Sequence, residues 1–435
     1  MNTRAFTAAL LLLTVCGTGR AQLSGYSSVG FGYQQNPLSD YERLSDEVKQ
    51  GYLELNYERE LPHSSFGLQY IGGLMMFKRF EGRNFYEHSL SGVYRLRFND
   101  ENQDESTADS SARSESDTTA TAETEAEEQQ GQSVSDSTAT YLDLGAKLIA
   151  RHDKLAYDEF DNQALALSAS YRSPLGEHLY GRIGNTFILR SYPNVTTLSN
   201  FNNLVTAEIG VTSETNLVYG FMLSGGFKYY TASTYDTTRF GGSGGPAQNP
   251  PGKGKAGGNI PGSPAKQILL KPQNNGTVQF LGSVFLRKDW SSKRSFLSSL
   301  AYRWTARSAV RYLAQQASAS LVGDDIYNDF FSYEGPELRM RLTSELVSKI
   351  QMILEAGLIH KQFAAHALSL SGEELASHRT DLRTSTELYL SRSFELQNGW
   401  GVDVFVDAGF VRNQSNDSYN DHSGYSVSAG LGIGF

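Results

Sequence analysis

Residues 424–435 read GYSVSAGLGIGF. At a step of two, one face carries Tyr425, Val427, Ala429, Leu431, Ile433 and Phe435. The other face is Ser426, Ser428, Gly430, Gly432 and Gly434. Strict alternation of this kind marks a β-strand with two unlike faces. The large face needs an apolar partner, and the small face offers almost nothing to pack behind it.

The same pattern recurs through the chain. Leu53, Leu55 and Tyr57 share one face, as do Phe66, Leu68, Tyr70 and Leu74. Further runs include Leu142 to Ala150, Leu165 to Tyr171, Leu217 to Phe227, Ile350 to Leu358 and Trp400 to Phe410. About sixteen such segments are present, each long enough to cross a bilayer at a tilt. Composition agrees: 24 Tyr, 23 Phe and 42 Gly against 11 Pro, with 39% hydrophobic residues, favour strands over helices. The 435 residues fit either several soluble domains or one large β-architecture.

The connections separate those two. Short turns are expected at 61–65, 173–178, 213–216, 288–294, 344–349 and 394–399. Longer polar loops fall at 35–46, 77–87, 152–162, 191–201, 231–274, 307–328, 362–379 and 412–422. Short and long alternate along the chain, as an up-and-down barrel requires when one rim carries tight turns. A Greek-key sandwich has no reason to do so. One connection, 99–140, departs from the rule. Between Asp100 and Asp136 it holds twelve carboxylates against the single Arg113, a net of −11 against −9 for the whole chain. With almost no bulky apolar residues it is expected to be a disordered acidic insert.

The first 21 residues read as a secretory signal. Arg4 supplies the positive region, Ala5 to Val15 the apolar core and Gly19-Arg20-Ala21 the small residues before cleavage. That core is too short to span a bilayer. Cleavage after Ala21 leaves a mature chain 22–435 without Cys16, the single cysteine, and hence without a disulfide. Val15 just before Cys16 argues against a lipoprotein signal, which needs a small residue there.

With the large faces outward, the charges fall inward. Arg95 and Arg97 share one strand, followed by Lys147, Arg151, Arg182, Arg190, Lys228, Arg287, Arg303, Arg339 and Arg341. Inward carboxylates are Glu54, Glu58, Asp143, Glu208, Glu337, Glu355, Asp381, Glu387, Asp403 and Asp407. An outward Arg at mid-depth costs about 2–4 kcal/mol in lipid, so this segregation argues for a membrane barrel. The inward charges fit two readings: cross-strand ion pairs that keep a wet interior solvated, or a field that selects solutes by charge. On the second reading Arg339 and Arg341, with Glu337 beside them, mark the constriction.

Signals for catalysis are weak. The 8 His have no metal-ligand spacing, His360 and His366 form no metal motif, and HExxH is absent. His63-Ser64-Ser65 lies in a short turn with no acidic partner in view. The run GKGK at 252–255 lacks the Ser or Thr that ends a phosphate loop. No enzyme, cofactor or metal is expected, and nucleic acid is not an expected partner. Tyr229, Trp304, Trp400 and Tyr425, near strand ends, are read as interfacial girdles.

The secretory signal, the alternating segments and the last strand together resemble a bacterial outer-membrane β-barrel protein, porin-like in size. The resemblance is architectural and covers the mature chain without pointing to a particular porin family. It implies that Tyr425, Ile433 and Phe435 are read by the barrel-assembly machinery. It further implies an outer-membrane location, a lipid surround, a periplasmic insert and external long loops; a homo-oligomer remains open. The expected fold is therefore an all-β, transmembrane, antiparallel barrel of about sixteen strands, with 231–274 as a long Gly/Pro-rich extracellular loop. The expected function is a pore for small hydrophilic solutes. The alternatives are a closed barrel that binds partners at the surface and, with less support, an outer-membrane enzyme. The last strand should pair with the first, near Tyr26 to Gln34, to close the ring.

Overall fold

In a computed structural model, residues 21–35, 45–98, 140–154, 161–231, 276–307, 330–371, 373–396 and 399–435 are described. Residues 1–20, expected to be a secretory signal, almost all of the expected acidic insert and residues 232–275, expected to be a long loop, lie outside the described residues. So do residues 36–44 and 308–329, where loops are expected.

Sixteen strands form one closed antiparallel barrel in which each pairs with its neighbours in sequence. They are β1 (Ala21–Gln35), β2 (Ser45–Leu61), β3 (Ser64–Phe77), β4 (Phe85–Phe98), β5 (Thr140–Asp153) and β6 (Asn162–Pro174). Next come β7 (Leu179–Ser191), β8 (Asn200–Ser213), β9 (Leu217–Tyr230), β10 (Gly276–Ser291) and β11 (Arg294–Arg307). The last five are β12 (Tyr333–Glu345), β13 (Ile350–Leu368), β14 (Glu374–Glu395), β15 (Gly401–Ser415) and β16 (His422–Gly434). The expected short turns fall between β2 and β3, β6 and β7, β8 and β9, β10 and β11, β12 and β13, and β14 and β15, all at one rim, with 397–398 of the last outside the described residues. In the β8–β9 turn Asn216 holds a φ of 57°, a left-handed geometry that Asn tolerates better than most side chains.

Closure is made by β1 and β16, in register from Tyr26↔Gly434 to Gln35↔Tyr425. No strand edge is left open, which in hydrocarbon is the condition for any spanning sheet. The large faces point out: Leu431 and Ile433 are 56% and 50% exposed. Leu53, Leu148, Leu167, Phe221, Val284 and Val406 are exposed in the same way around the ring. Trp304, Tyr229 and Tyr425 stand on this outer wall toward the long-loop rim, and Trp400 stands at the short-turn rim. A closed apolar cylinder with charges inside is stable in a bilayer and not in water. The chain is a membrane-spanning barrel of the outer-membrane type.

The small face of β16 proves to be more than lumen lining. A Cβ at Gly432 would collide with the Tyr26 ring, and one at Gly430 with the Phe405 ring. Aromatic side chains of β1 and β15 therefore lie down over the glycines of the last strand. Elsewhere, among the described residues, small apolar clusters line the inner wall. Val48, Met75, Phe77, Phe80 and Phe85 pack at the long-loop end of β2 to β4. Tyr180, Val218 and Phe285 pack nearer the short turns.

One loop expectation is overturned. Residues 362–379 are for the most part strand: β13 continues to Leu368 and β14 begins at Glu374, with register shifts between Gln362 and Leu368. Beyond the rim neither face of the hairpin meets lipid, so the alternating signal that locates strands is lost. Long-range bonds hold the extension instead. Asp417 accepts from Leu368 N (3.0 Å), and the Tyr419 hydroxyl donates to Leu370 O (2.8 Å). Asn416 bonds both Thr380 N and His378 O at 2.8 Å.

Candidate functional site: the charged lumen

Pleating puts every second residue of a strand into the lumen, so the inner wall is a strand-by-strand readout of the polar positions. Around a ring of sixteen, β6 lies opposite β14, and β5 and β7 lie opposite β13 and β15. These two walls carry different chemistry.

The wall from β4 to β8 is basic and aromatic. Arg95 of β4 forms a two-pronged pair with Asp143 of β5, at 2.7 and 3.1 Å, and stacks 4.4 Å over the Tyr141 ring. Arg172 of β6 lies 4.1 Å over the Tyr180 ring and reaches the Tyr141 hydroxyl at 3.4 Å. The Tyr180 hydroxyl donates to Glu208 at 2.8 Å, and Arg182 Nε donates to Ser170 at 2.8 Å. Flat guanidinium groups suit such stacking, which holds the cation against the wall while its edge stays available. Arg97 pairs with Glu60 at the short-turn rim (3.3 Å). Arg151 is committed to Asp153 (2.8 Å) and to the Phe85 ring (4.1 Å), buried at the long-loop end. Lys147 sits between these levels on β5, in register with Ser91 and Ala166.

The wall from β13 to β15 is acidic. Glu355 and Glu387 are direct cross-strand partners. Asp407 and Asp403 follow on β15, opposite Tyr389 and Ser393. Like charges in direct opposition are unfavourable in a sheet. Arg341 of β12 reaches Glu355 at 3.5 Å, and both side chains stay partly exposed, at 30% and 45%.

Between the walls lies a buried polar knot on β10 to β13. Arg303 Nε donates to Glu337 at 2.7 Å, with each side chain 5% exposed. The Tyr333 hydroxyl donates to the same oxygen (3.1 Å), and Gln279 Oε1 accepts from Arg303 (3.0 Å). Arg339 approaches the second Glu337 oxygen at 3.5 Å, and the Lys361 ammonium lies 4.6 Å from the Tyr333 ring. The sequence places Glu337, Arg339 and Arg341 together, and they are together. Glu337, however, is drawn into the wall by Arg303, while the two arginines stay partly open.

The sequence reading missed Arg172, Tyr141 and Tyr180. Their inward parity was available, but stacking across three strands needs the register. It also missed Arg379, which holds buried Asp381 together with Asn413 (3.2 Å) and Ser415 (2.6 Å), because the extended hairpin was unforeseen. His63 lies in the β2–β3 turn, and its carbonyl accepts from Arg97 N.

No protein-family model matches the chain, and no curated protein matches it in sequence. Among solved structures it is similar to OpdK of Pseudomonas aeruginosa with vanillate, at 9% identity over 95% of this chain and 99% of that one, TM-score 0.42. It is similar to the outer membrane protein OprD of the same organism at 9% identity, with 95% and 94% covered and a TM-score of 0.40. For OccAB1 of Acinetobacter baumannii the identity is 5%, with 95% and 97% covered and a TM-score of 0.39. These likenesses are distant in sequence and in superposition.

Proposed function

We propose that the protein is an outer-membrane pore for small hydrophilic solutes, which are sorted by charge in transit. The observation that supports this is the division of the inner wall. Arg95, Lys147, Arg172 and Arg182 lie on β4 to β7, and Glu355, Glu387, Asp403 and Asp407 lie across the ring on β13 to β15. A sixteen-strand barrel is wide enough to hold water, and opposite fixed charges facing each other across that lumen, inside low-dielectric walls that focus the field, set up a transverse field. Such a field orients a dipolar solute and penalises an apolar one. Arg339 and Arg341, at the seam between the two walls, are the proposed constriction. Phe435, with Tyr425 and Ile433, is the proposed signal for barrel assembly.

Conductance in planar bilayers tests the pore. Discrete, stable ion-permeable steps are expected from the purified barrel. A folded, heat-modifiable barrel that conducts nothing would overturn the proposal in favour of a closed surface protein.

A further inference from the structure

Charged residues on the outer wall, such as Lys49, Arg59 and Arg392, stay near strand ends. Asn185 stands at mid-strand on that wall. It is the central residue of β7, in register with Ala169 on β6 and Val205 on β8. It shares the outward face with Ile183, which is 62% exposed, and Val205, at 46%. Asn203, on the outward face of β8, is its diagonal neighbour, opposite Phe187 and Phe227. The two amides bond reciprocally: Asn185 Nδ2 donates to Asn203 Oδ1 (3.2 Å), and Asn203 Nδ2 donates to Asn185 Oδ1 (3.1 Å). Both bonds are exposed.

Each carboxamide has two N–H donors and an oxygen with two lone pairs. The reciprocal pair uses one donor and one acceptor site of each. A second donor and a second lone pair on each Asn then point toward hydrocarbon, where no water can serve them. Ser and Thr on the outer wall can fold their hydroxyls back to the backbone, but two paired amides cannot turn all their polar atoms inward. In a membrane such groups are satisfied by protein, and polar side chains are recurrent contacts between spanning elements.

We infer that the β7–β8 face is where two copies of this barrel meet, with the Asn185–Asn203 pair of each hydrogen-bonded to that of the other. The amide pair points to a second copy because it presents donors and acceptors in equal number and is complementary to itself. Two-fold symmetry brings like patches together and needs that self-complementarity. The surrounding surface suits an apolar contact. The tilted rings of Phe187 and Phe201 lie 6.2 Å apart between centroids, and Phe201 meets Tyr229 at 5.5 Å, forming an aromatic shoulder beside the amides.

The test uses the full-length protein expressed in its membrane. Asn203→Cys should give a disulfide-linked dimer on mild oxidation, whereas Val404→Cys, outward on distant β15, should not. In mild detergent, light scattering should give the mass of two barrels for the native chain and one for Asn185→Leu with Asn203→Leu. The leucine variant removes only polar atoms from a lipid-facing surface, and an unchanged heat-modifiable band shift verifies its fold. A monomeric native barrel, a dimer undiminished in the leucine variant, equal cross-linking at both cysteines, or cross-linking only to a different protein would each overturn the inference.

Discussion

Gly25 and Phe435 close the barrel between them. Gly25 N donates to Phe435 O at 3.1 Å, and Phe435 N donates to Gly25 O at 3.0 Å. The Phe435 ring lies so close over Gly25 that a Cβ there would sit 2.6 Å from it, and the ring also meets Trp400 at 5.2 Å between ring centroids. The closing residue thus completes the seam between first and last strands and packs on the outer wall at the short-turn rim.

Deleting Phe435 removes two seam hydrogen bonds and the ring. The fraction of folded, heat-modifiable barrel in the outer membrane is expected to fall sharply. Gly25→Val, which leaves the end of the chain unaltered but displaces the ring, should lower it as well. Normal yield of the deletion variant would refute the role of Phe435 in assembly.

Glu337 and Arg303 are each buried, so removing one strands the other. Glu337→Ala should cost about 3–5 kcal/mol, read as a lower urea midpoint for unfolding from lipid vesicles. Joint replacement by Leu and Met should recover much of the loss, because no lone charge remains. Equal midpoints for the single and double variants would count against the pair as the source.

At the proposed constriction, Arg339→Glu with Arg341→Glu reverses two partly open charges beside the acidic wall. Reversal potentials in a salt gradient should move toward cation preference. An unchanged potential removes these residues as the filter while leaving the pore itself intact.

Asp417→Ala frees Leu368 N and so removes one tie of the β13–β14 extension. A glutamate-specific protease added to intact cells should then cut at Glu373 or Glu374 faster than in the native chain, while conductance persists. No change in cutting would mean that the other ties, through Asn416 and Tyr419, suffice.

Leu167 stands mid-strand on the outer face. Leu167→Arg should lose about 2–4 kcal/mol of stability in lipid. A neutral effect would place this surface against water or protein rather than hydrocarbon.

Much of this barrel was legible in the chain because membrane barrels separate their faces residue by residue. Leu53, Phe221, Val406 and Ile433 alternate with polar neighbours, which fixed strand number, outward face and the β1–β16 seam. The same parity marked Arg95, Lys147, Glu337, Arg339, Arg341, Glu355 and Asp407 as inward. Parity speaks of one strand at a time, however. That Arg303 draws Glu337 into the wall, and that Arg172 stacks on Tyr180, follow from register across neighbouring strands. So does the meeting of Asn185 with Asn203, since those residues stand on different strands. The β13–β14 extension left no periodic trace because, past the rim, no lipid selects one face over the other. The glycines of GYSVSAGLGIGF were readable as a small face by sequence alone. Only the closed ring brings Tyr26 and Phe405 over Gly432 and Gly430, because those rings come from strands joined to β16 by tertiary pairing.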